Sequence, residues 1–177
     1  MSSIMKLTSL NRRQVAQAGE WRAEQRDALR TPYFLTEEMQ EKFYDDVVCN
    51  RNSPHRFYAI NFLSYVIPGE QIPQFIGMGG LINIEWENST AELSLITSPG
   101  RSDKEAMFDI LFDEAFNRLN LHSVYVETYI CGDMATSRSL ISKYKAHEAT
   151  LPERKFIDGE YYDSVWWMIT RRMYERD

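Results

Sequence analysis

The chain changes period near its first third, and this change limits the folds open to it. Up to Val48 its composition is helical. Asn11–Arg30 is rich in Ala, Gln, Arg and Glu and lacks proline, with Gly19 as an expected interruption. Thr36-Glu37-Glu38 opens a second helix, its carboxylates where the helix dipole favours them. From Arg56 the signal becomes that of strands. Arg56–Leu63, Gln74–Ile84 and Ala91–Thr97 are rich in β-branched and aromatic residues, and the last alternates Glu92, Ser94 and Ile96 against Leu93 and Leu95. Ile67–Pro73 reads as the hairpin loop between the first two, and Glu87–Thr90 as a turn. Three successive strands predict an antiparallel meander.

A helix then intervenes. Ser102 and Glu105 have the spacing of a capping box, and Ala106, Ile110, Leu111, Ala115 and Leu119 form its expected apolar stripe. Ser123–Ile130 follows as a strand. The helical crossover before it lets this strand run parallel to Ala91–Thr97. Asp133–Lys145 reads as a short helix, and Lys155–Ile157, Asp158-Gly159 and Tyr161–Met173 read as a closing hairpin. With a short first strand at Ile4–Leu7, the order is β-α-α-β-β-β-α-β-α-β-β. This is an α+β fold with a mixed, mostly antiparallel twisted sheet flanked by helices.

Composition narrows the class. A chain of 177 residues suits a single domain with a core that needs no staple. Its 20 basic and 26 acidic residues leave a net charge of −6, which speaks against nucleic acid and fits a cationic partner. Cys49 and Cys131, with His55, His122 and His147, are scattered without metal-ligand spacing, so no metal is expected and the thiols read as reduced. No stretch approaches the roughly 20 apolar residues of a membrane helix, and the N-terminus lacks a signal-peptide pattern. A cytoplasmic protein is the expectation.

Four segments carry a resemblance. They are Glu20-Trp21-Arg22; Leu119–Glu127; Ser137–Lys143; and Asp158–Asp163 followed by Val165–Met168. In order and spacing they resemble the GNAT N-acetyltransferase superfamily, and within it the branch of ribosomal-protein, spermidine and amino-sugar acetyltransferases. The resemblance runs from about Trp21 to Tyr174. It implies fourth and fifth strands that are parallel but splayed, with acetyl-CoA as co-substrate between them. It also implies acetyl transfer to a primary amine of a small molecule, an amino sugar or a protein N-terminus, and allows a homodimer. The chain departs from the family pattern at five places, two of them the Asn before the helix that follows the fifth strand, which appears as Asp133 or Met134, and the Gly-Phe after that helix, which is Lys145-Ala146. Ala23 stands where Asn is usual, the CoA loop is a shortened Pro99–Lys104 with one glycine, and the tyrosine of the helix after the fifth strand falls near Leu140 or Ile141.

The resemblance also implies roles. Leu95, Ile96 and Thr97 would offer backbone groups to the pantetheine arm. Gly100, Arg101, Ser102, Asp103 and Lys104, with Ser137, would hold the CoA side; a loop feeding a helix N-terminus suits a pyrophosphate. The loop also reads as an ordinary capped helix after a Pro-Gly turn. Glu92 is the first candidate for the base that deprotonates the amine, and Glu127 the second; each also reads as an ordinary strand glutamate. Tyr129 could protonate the leaving thiolate or simply be core. An acyl-cysteine route through Cys131 lacks a histidine partner. Trp21, Arg22, Tyr33, Tyr161 and Asp163 are candidates for the acceptor pocket, the aromatics also reading as cover for the sheet. Three functions remain open: an active N-acetyltransferase, a GNAT-fold protein that has lost catalysis and serves binding or assembly, and a nucleobase-modifying relative that the acidic balance disfavours.

Overall fold

The computed structural model describes residues 4–30, 33–67, 70–130 and 132–175. Pro68 and Gly69 of the expected loop, and Cys131, lie outside the described residues. Among the described residues seven strands form one sheet: β1 (Ile4–Ser9), β2 (Arg56–Ile67), β3 (Glu70–Glu85), β4 (Thr90–Thr97), β5 (Ser123–Tyr129), β6 (His147–Ile157) and β7 (Glu160–Thr170), in the order β1-β2-β3-β4-β5-β7-β6. Every pairing is antiparallel except β4 with β5. The mixed α+β architecture is the one expected from the order of elements.

Each helix has a local cause. α1 (Arg12–Glu24) starts in a capping box: Asn11 Oδ1 accepts from the Gln14 N–H at 2.9 Å, and Gln14 Oε1 accepts from the Asn11 N–H at 3.1 Å. Gly19 does not interrupt it. A Cβ there would stand 1.7 Å from Gln40 Nε2, so Gly19 is the notch that lets Gln40 lie against α1. α2 (Glu37–Phe43) is capped by Thr36 Oγ1, which accepts from the Met39 N–H at 3.2 Å, and it ends in a π-turn over Tyr44–Val48.

α3 (Lys104–Asp113) departs from the expected start. Its N-cap is Asp103, and no side chain caps it. Arg101 takes the Asp103 carboxylate instead, its Nε donating to Oδ1 at 2.8 Å, and the Ser102–Glu105 box is not made. The buried face keeps Leu111 and Ala115 of the expected stripe but is otherwise rotated away from it. Met107, Phe108, Leu111, Phe112, Ala115 and Phe116 are buried, whereas Ala106 is exposed and Ile110 and Leu119 are half-buried. Phe108, Phe112 and Phe116, at i, i+4 and i+8, set the orientation because they bury the most apolar area.

The main core fills the space between the sheet and the pair α3 and α4 (Met134–Tyr144). Phe112 meets Tyr144 edge-on at 5.4 Å and Trp167 at 6.2 Å between ring centroids. On the opposite face α1 covers β3 and β4, where Ala18, Trp21 and Ile96 cluster and Trp21 stacks on Phe75 at 5.0 Å. The closing hairpin turns at Asp158 and Gly159, whose φ values of 50° and 89° are those of a two-residue hairpin turn. The chain ends its described course in a one-turn helix, α5 (Arg171–Tyr174), where a longer strand was expected. No helix among the described residues is long and apolar enough to cross a membrane.

Candidate active site between the splayed strands

β4 and β5 pair over three rungs only: Thr90–Ser123, Ala91–Val124 and Glu92–Tyr125. Both strands continue, β4 to Thr97 and β5 to Tyr129, without further pairing. They separate from Leu93 and Val126 onward, earlier than the Leu95–Thr97 expected from sequence. A cleft of about 530 Å³ opens in this wedge, walled by β4, β5, α1, and the starts of α3 and α4.

Strand alternation assigns the backbone. The Ser98 N–H donates to Ile76 O on β3 at 2.9 Å, so the peptide groups of Ile96 and Ser94 also point to β3. Those of Leu93, Leu95 and Thr97 point into the wedge. The Thr97 carbonyl already accepts from Gln25 Nε2 at 2.8 Å. The Glu92–Tyr125 rung uses the Leu93 N–H, so the backbone groups left for a ligand are the Leu93 carbonyl, both groups of Leu95 and the Thr97 N–H. Of the expected trio, Leu95 and the Thr97 N–H face the wedge, whereas the Ile96 peptide group faces β3. The Ile96 side chain faces α1.

At the apex of the wedge two carboxylates converge on one cation. The Arg30 guanidinium donates through Nη2 to Glu92 Oε1, through Nη1 to Glu92 Oε2 at 3.3 Å, through Nη2 to Glu127 Oε2 at 2.7 Å and through Nε to the same oxygen at 3.1 Å. Glu92 is 7% exposed and the Glu127 side chain 1%. Neither is the outward-facing strand glutamate that sequence left open. Asn83 Nδ2 adds a hydrogen bond to Glu92 Oε2 at 3.3 Å, and Arg154 Nε lies 3.6 Å from Glu127 Oε1. Burial pushes the Glu127 carboxyl up, but the Trp166 indole N–H, the Ser164 hydroxyl and Arg30 outweigh it and hold it below the usual range. The Trp166 and Ser164 groups act here as nearby dipoles, because Glu127 Oε1, Ser164 Oγ and Trp166 Nε1 are buried without a well-formed hydrogen bond. Tyr129 is buried, with Lys155 Nζ 4.9 Å from its ring centroid. Burial raises its hydroxyl against the pull of Arg30, so it stays protonated.

Sequence reasoning missed Arg30 and Asn83. Arg30 lies in a basic, helix-like run, 62 residues from Glu92 and 97 from Glu127, so no local pattern marks it. Asn83 did carry a signal: asparagine is disfavoured inside strands. It sits at a bulge of β3 with φ of 51°, its N–H donating to His55 Nδ1 at 3.0 Å.

The CoA-side candidates divide. Lys104 borders the cleft and donates to Asp133 Oδ2 at 2.8 Å, joining the starts of α3 and α4. Burial would raise the Asp133 carboxyl, but Lys104 and the Thr136 N–H and hydroxyl hold it low. Ser137 is buried in the cleft wall, 2.8 Å from Thr128 Oγ1. Gly100, with φ of 74° and open space around it, makes the turn before α3. Gly100, Arg101, Ser102 and Asp103 stand outside the cleft lining. Because no side chain caps α3, its first N–H groups are left for an anion.

The acceptor candidates divide too. Arg22 and the exposed Tyr33 line the cleft, with the guanidinium carbon 5.4 Å from the ring centroid. Trp21 belongs to the core beneath α1 instead, since stacking on Phe75 buries its apolar ring. Tyr161 packs on Phe156 at 5.0 Å at the exposed end of the hairpin. Asp163 Oδ1 accepts from the Glu153 N–H at 2.9 Å, pinning the bulge of β6. Neither reaches the cleft.

The depressed carboxyls give a pH prediction. A carboxyl held low in the folded state binds fewer protons there than in the unfolded chain, so its stabilisation is present above the unfolded value, about 4, and is lost as pH falls through the folded one. The urea midpoint is expected to be flat near neutrality and to fall steeply below about pH 4. Glu127→Gln and Asp133→Asn should each flatten that acid limb. A limb of unchanged steepness in both variants would count against the assignment.

No family model and no curated protein sequence matches this chain. Solved structures do. A spermidine N-acetyltransferase from Vibrio cholerae, solved with CoA and spermine, superposes with a TM-score of 0.79 at 21% identity, over 97% of this chain and 98% of that one. Mutant forms of the spermidine/spermine N-acetyltransferase from the same organism give 0.78 at 20% identity, over 97% and 96%. A chimera of the Vibrio cholerae enzyme with hSSAT gives 0.74 at 19%, over 98% and 99%. With its seven-stranded order and its parallel pair that opens after three rungs, this chain has the fold of these enzymes, the GNAT N-acetyltransferase fold.

Proposed function

We propose that this protein is an N-acetyltransferase that moves an acetyl group from acetyl-CoA to a primary amine, and that the amine is cationic before it reacts. One observation carries the reading: two buried carboxylates stand at the apex of a wedge whose one wall has unpaired strand backbone. The fit to acetyl-CoA rests on three features. Leu93 and Leu95 offer strand backbone to an amide-bearing arm. The uncapped start of α3 offers N–H groups to a pyrophosphate. The cleft volume of about 530 Å³ suits a ligand of that class. Bound there, acetyl-CoA would supply an acyl group on a good leaving thiolate.

The chain's own residues would do the rest. An alkylamine is protonated at neutral pH, with a pKa near 10.4, and must become neutral to attack. Glu92 accepts that proton. The nitrogen forms its bond to the acetyl carbon, the carbon–sulfur bond breaks, Tyr129, kept protonated by burial, donates its proton to the departing thiolate, and the surplus proton of the acylated nitrogen restores the tyrosine. Glu127 stays ionised and balances cationic charge beside the reacting nitrogen.

A second reading, a GNAT-fold binding protein without catalysis, is favoured by the internal pairing of Arg101 with Asp103 and of Lys104 with Asp133, which uses charge that a phosphate would need. One titration separates the two. Acetyl-CoA is expected to bind the parent, and Arg101→Glu with Lys104→Glu together to weaken it by 10-fold or more, on the order of 1.4 kcal/mol, because charge-assisted bonds give way to repulsion. Unchanged affinity in the double variant would remove the phosphate assignment. Absence of binding to the parent would favour the second reading.

A further inference from the structure

Asn83 holds a left-handed conformation inside a strand. Its φ of 51° falls at the bulge of β3 between Ile82 and Glu85, directly after Ile82, the register partner of Glu92. That conformation costs free energy in a strand and persists only where the surroundings over-determine it. Two hydrogen bonds to the segment before β2 do so here. The Asn83 N–H donates to His55 Nδ1 at 3.0 Å, and the Ile84 N–H donates to Pro54 O at 2.8 Å. The twist they impose turns the Asn83 side chain to β4, where Nδ2 donates to Glu92 Oε2 at 3.3 Å. Arg30 is shared between Glu92 and Glu127, whereas Asn83 reaches Glu92 from the neighbouring strand.

We infer that Asn83 is a positioning residue for the Glu92 base, and that His55 holds Asn83 in place only while its imidazole is neutral. This deepens the N-acetyltransferase reading and rests on it for its catalytic half. The two links respond differently to protons. An amide N–H donates to Glu92 before and after proton transfer, because a protonated carboxyl keeps a carbonyl oxygen that accepts. His55 Nδ1 accepts only as the bare nitrogen of the Nε2–H tautomer. In the imidazolium both nitrogens carry protons, Nδ1–H meets the Asn83 N–H donor to donor, and the bond is lost. Water then takes the Asn83 N–H, since the residue is exposed. The Ile84–Pro54 bond remains as a hinge, so Asn83 relaxes from its twist without loss of the strand. The surroundings favour the neutral imidazole. Cys49, Arg51, Arg56 and Tyr58 line a small pocket with His55, and no carboxylate is among the described residues there. Glu85, further along β3, is held by Asn88 Nδ2 at 2.9 Å. Burial and the Arg56 charge keep the imidazole below its usual value, so it accepts at neutral pH.

Three variants of the full-length chain separate the links. Asn83→Gly keeps the bulge, because glycine adopts positive φ freely, and removes the amide. His55→Asn puts an oxygen near the place of Nδ1 that accepts at every pH, and His55→Ala removes the acceptor. Isotope-labelled protein is titrated by NMR from about pH 8 to about pH 5, with no acetyl donor and no amine. In the parent, the Asn83 backbone amide and the Glu92 carboxyl carbon should both show a step at the midpoint of the His55 imidazole. In His55→Asn both steps should be absent. In Asn83→Gly the step at Glu92 should be absent although His55 still titrates.

With acetyl-CoA and a saturating amine, Asn83→Gly should lower kcat roughly 10- to 100-fold, the scale of a base displaced by about 1 Å, and leave KM for acetyl-CoA within about 3-fold. His55→Ala should show a similar loss near pH 8, and His55→Asn should restore the parent rate. The parent should also lose activity below about pH 6.5 through the His55 midpoint, and His55→Asn should lack that limb. Any limb belonging to Glu92 itself stays in both. A step at Glu92 that survives in Asn83→Gly would mark a field acting through space and overturn the inference. So would an Asn83 amide that ignores His55, unchanged kcat in folded Asn83→Gly, or the same acid limb in His55→Asn as in the parent; the His55 variants decide alone if Asn83→Gly does not fold. If the steps appear as expected but the parent acetylates no amine, the N-acetyltransferase reading fails while the tie from His55 through Asn83 to Glu92 stands.

Discussion

Replacing Glu92 with Gln is expected to lower turnover of an amine acceptor by roughly 10²–10⁴-fold at neutral pH, the usual contribution of a positioned general base. The substitution keeps the size of the side chain and keeps an oxygen that can accept from Arg30 and Asn83, so the wedge and its affinity for acetyl-CoA should persist. The loss should shrink as pH rises toward the amine's own pKa, about 10.4, because more of the acceptor then arrives neutral and needs no base. A variant that lost activity through misplacement would show a deficit independent of pH. Glu127→Gln is the companion. Glu127 is bridged by Arg30, approached by Arg154 and faced by the Trp166 and Ser164 dipoles, which makes it a fixed anion with little capacity to take a proton. Its substitution should act more on KM for the acceptor than on kcat. Equal kcat for Glu92→Gln and parent, with saturating acceptor and chemistry rate-limiting, would remove Glu92 from the mechanism. A pH-dependent loss in Glu127→Gln alone would exchange the two roles.

Phe112→Ala is expected to cost about 3–5 kcal/mol, a large share of the roughly 5–15 kcal/mol that holds a domain together. The ring is fully buried among Tyr144, Trp167, Phe108 and Phe116, with centroids 5.4, 6.2, 6.1 and 6.3 Å away. Those neighbours come from α3 and the π-turn Glu114–Arg118 that continues it, from α4 and from β7, which pack from three directions and cannot all close on the vacancy. Phe112→Leu, which refills most of the volume, should cost about 1–2 kcal/mol. Urea unfolding at constant slope is the measurement. A loss below about 1 kcal/mol for the alanine variant would show that the core collapses onto the gap and that α3 is not pinned by this ring. The consequence reaches the cleft, because Lys104 and Phe108 of the same helix form part of its wall.

The sequence by itself determined the elements and their order. Strand alternation in Ala91–Thr97, the helix composition before Val48, the Asp158-Gly159 turn and the crossover before Ser123 are local signals, carried by residues within a few positions of one another. Backbone sterics and amphipathic burial act at that range. The parallel pairing of β4 with β5 followed from the crossover, and the GNAT fold from the order of motifs. Glu92 and Glu127 were legible as candidates because a carboxylate inside an apolar strand is costly unless it has a purpose or a partner.

Tertiary structure alone decided what that partner is. Arg30 reaches Glu92 and Glu127 across 62 and 97 residues, and nothing near it in the chain separates it from Arg22 or Arg26. Ser102 has the spacing of a cap, yet Arg101 draws Asp103 into an ion pair and the box does not form. Trp21, Tyr161 and Asp163 have suitable chemistry for a pocket, but packing on Phe75, packing on Phe156 and the bulge of β6 claim them. The orientation of α3 was set by three phenylalanines competing for one core, a sum over contacts from several strands that no single helical stripe contains. Local pattern fixes which residues can be strand or helix, because dihedral preference and periodicity are short-ranged; charge pairing and close packing depend on which distant residues the fold brings within a few ångströms.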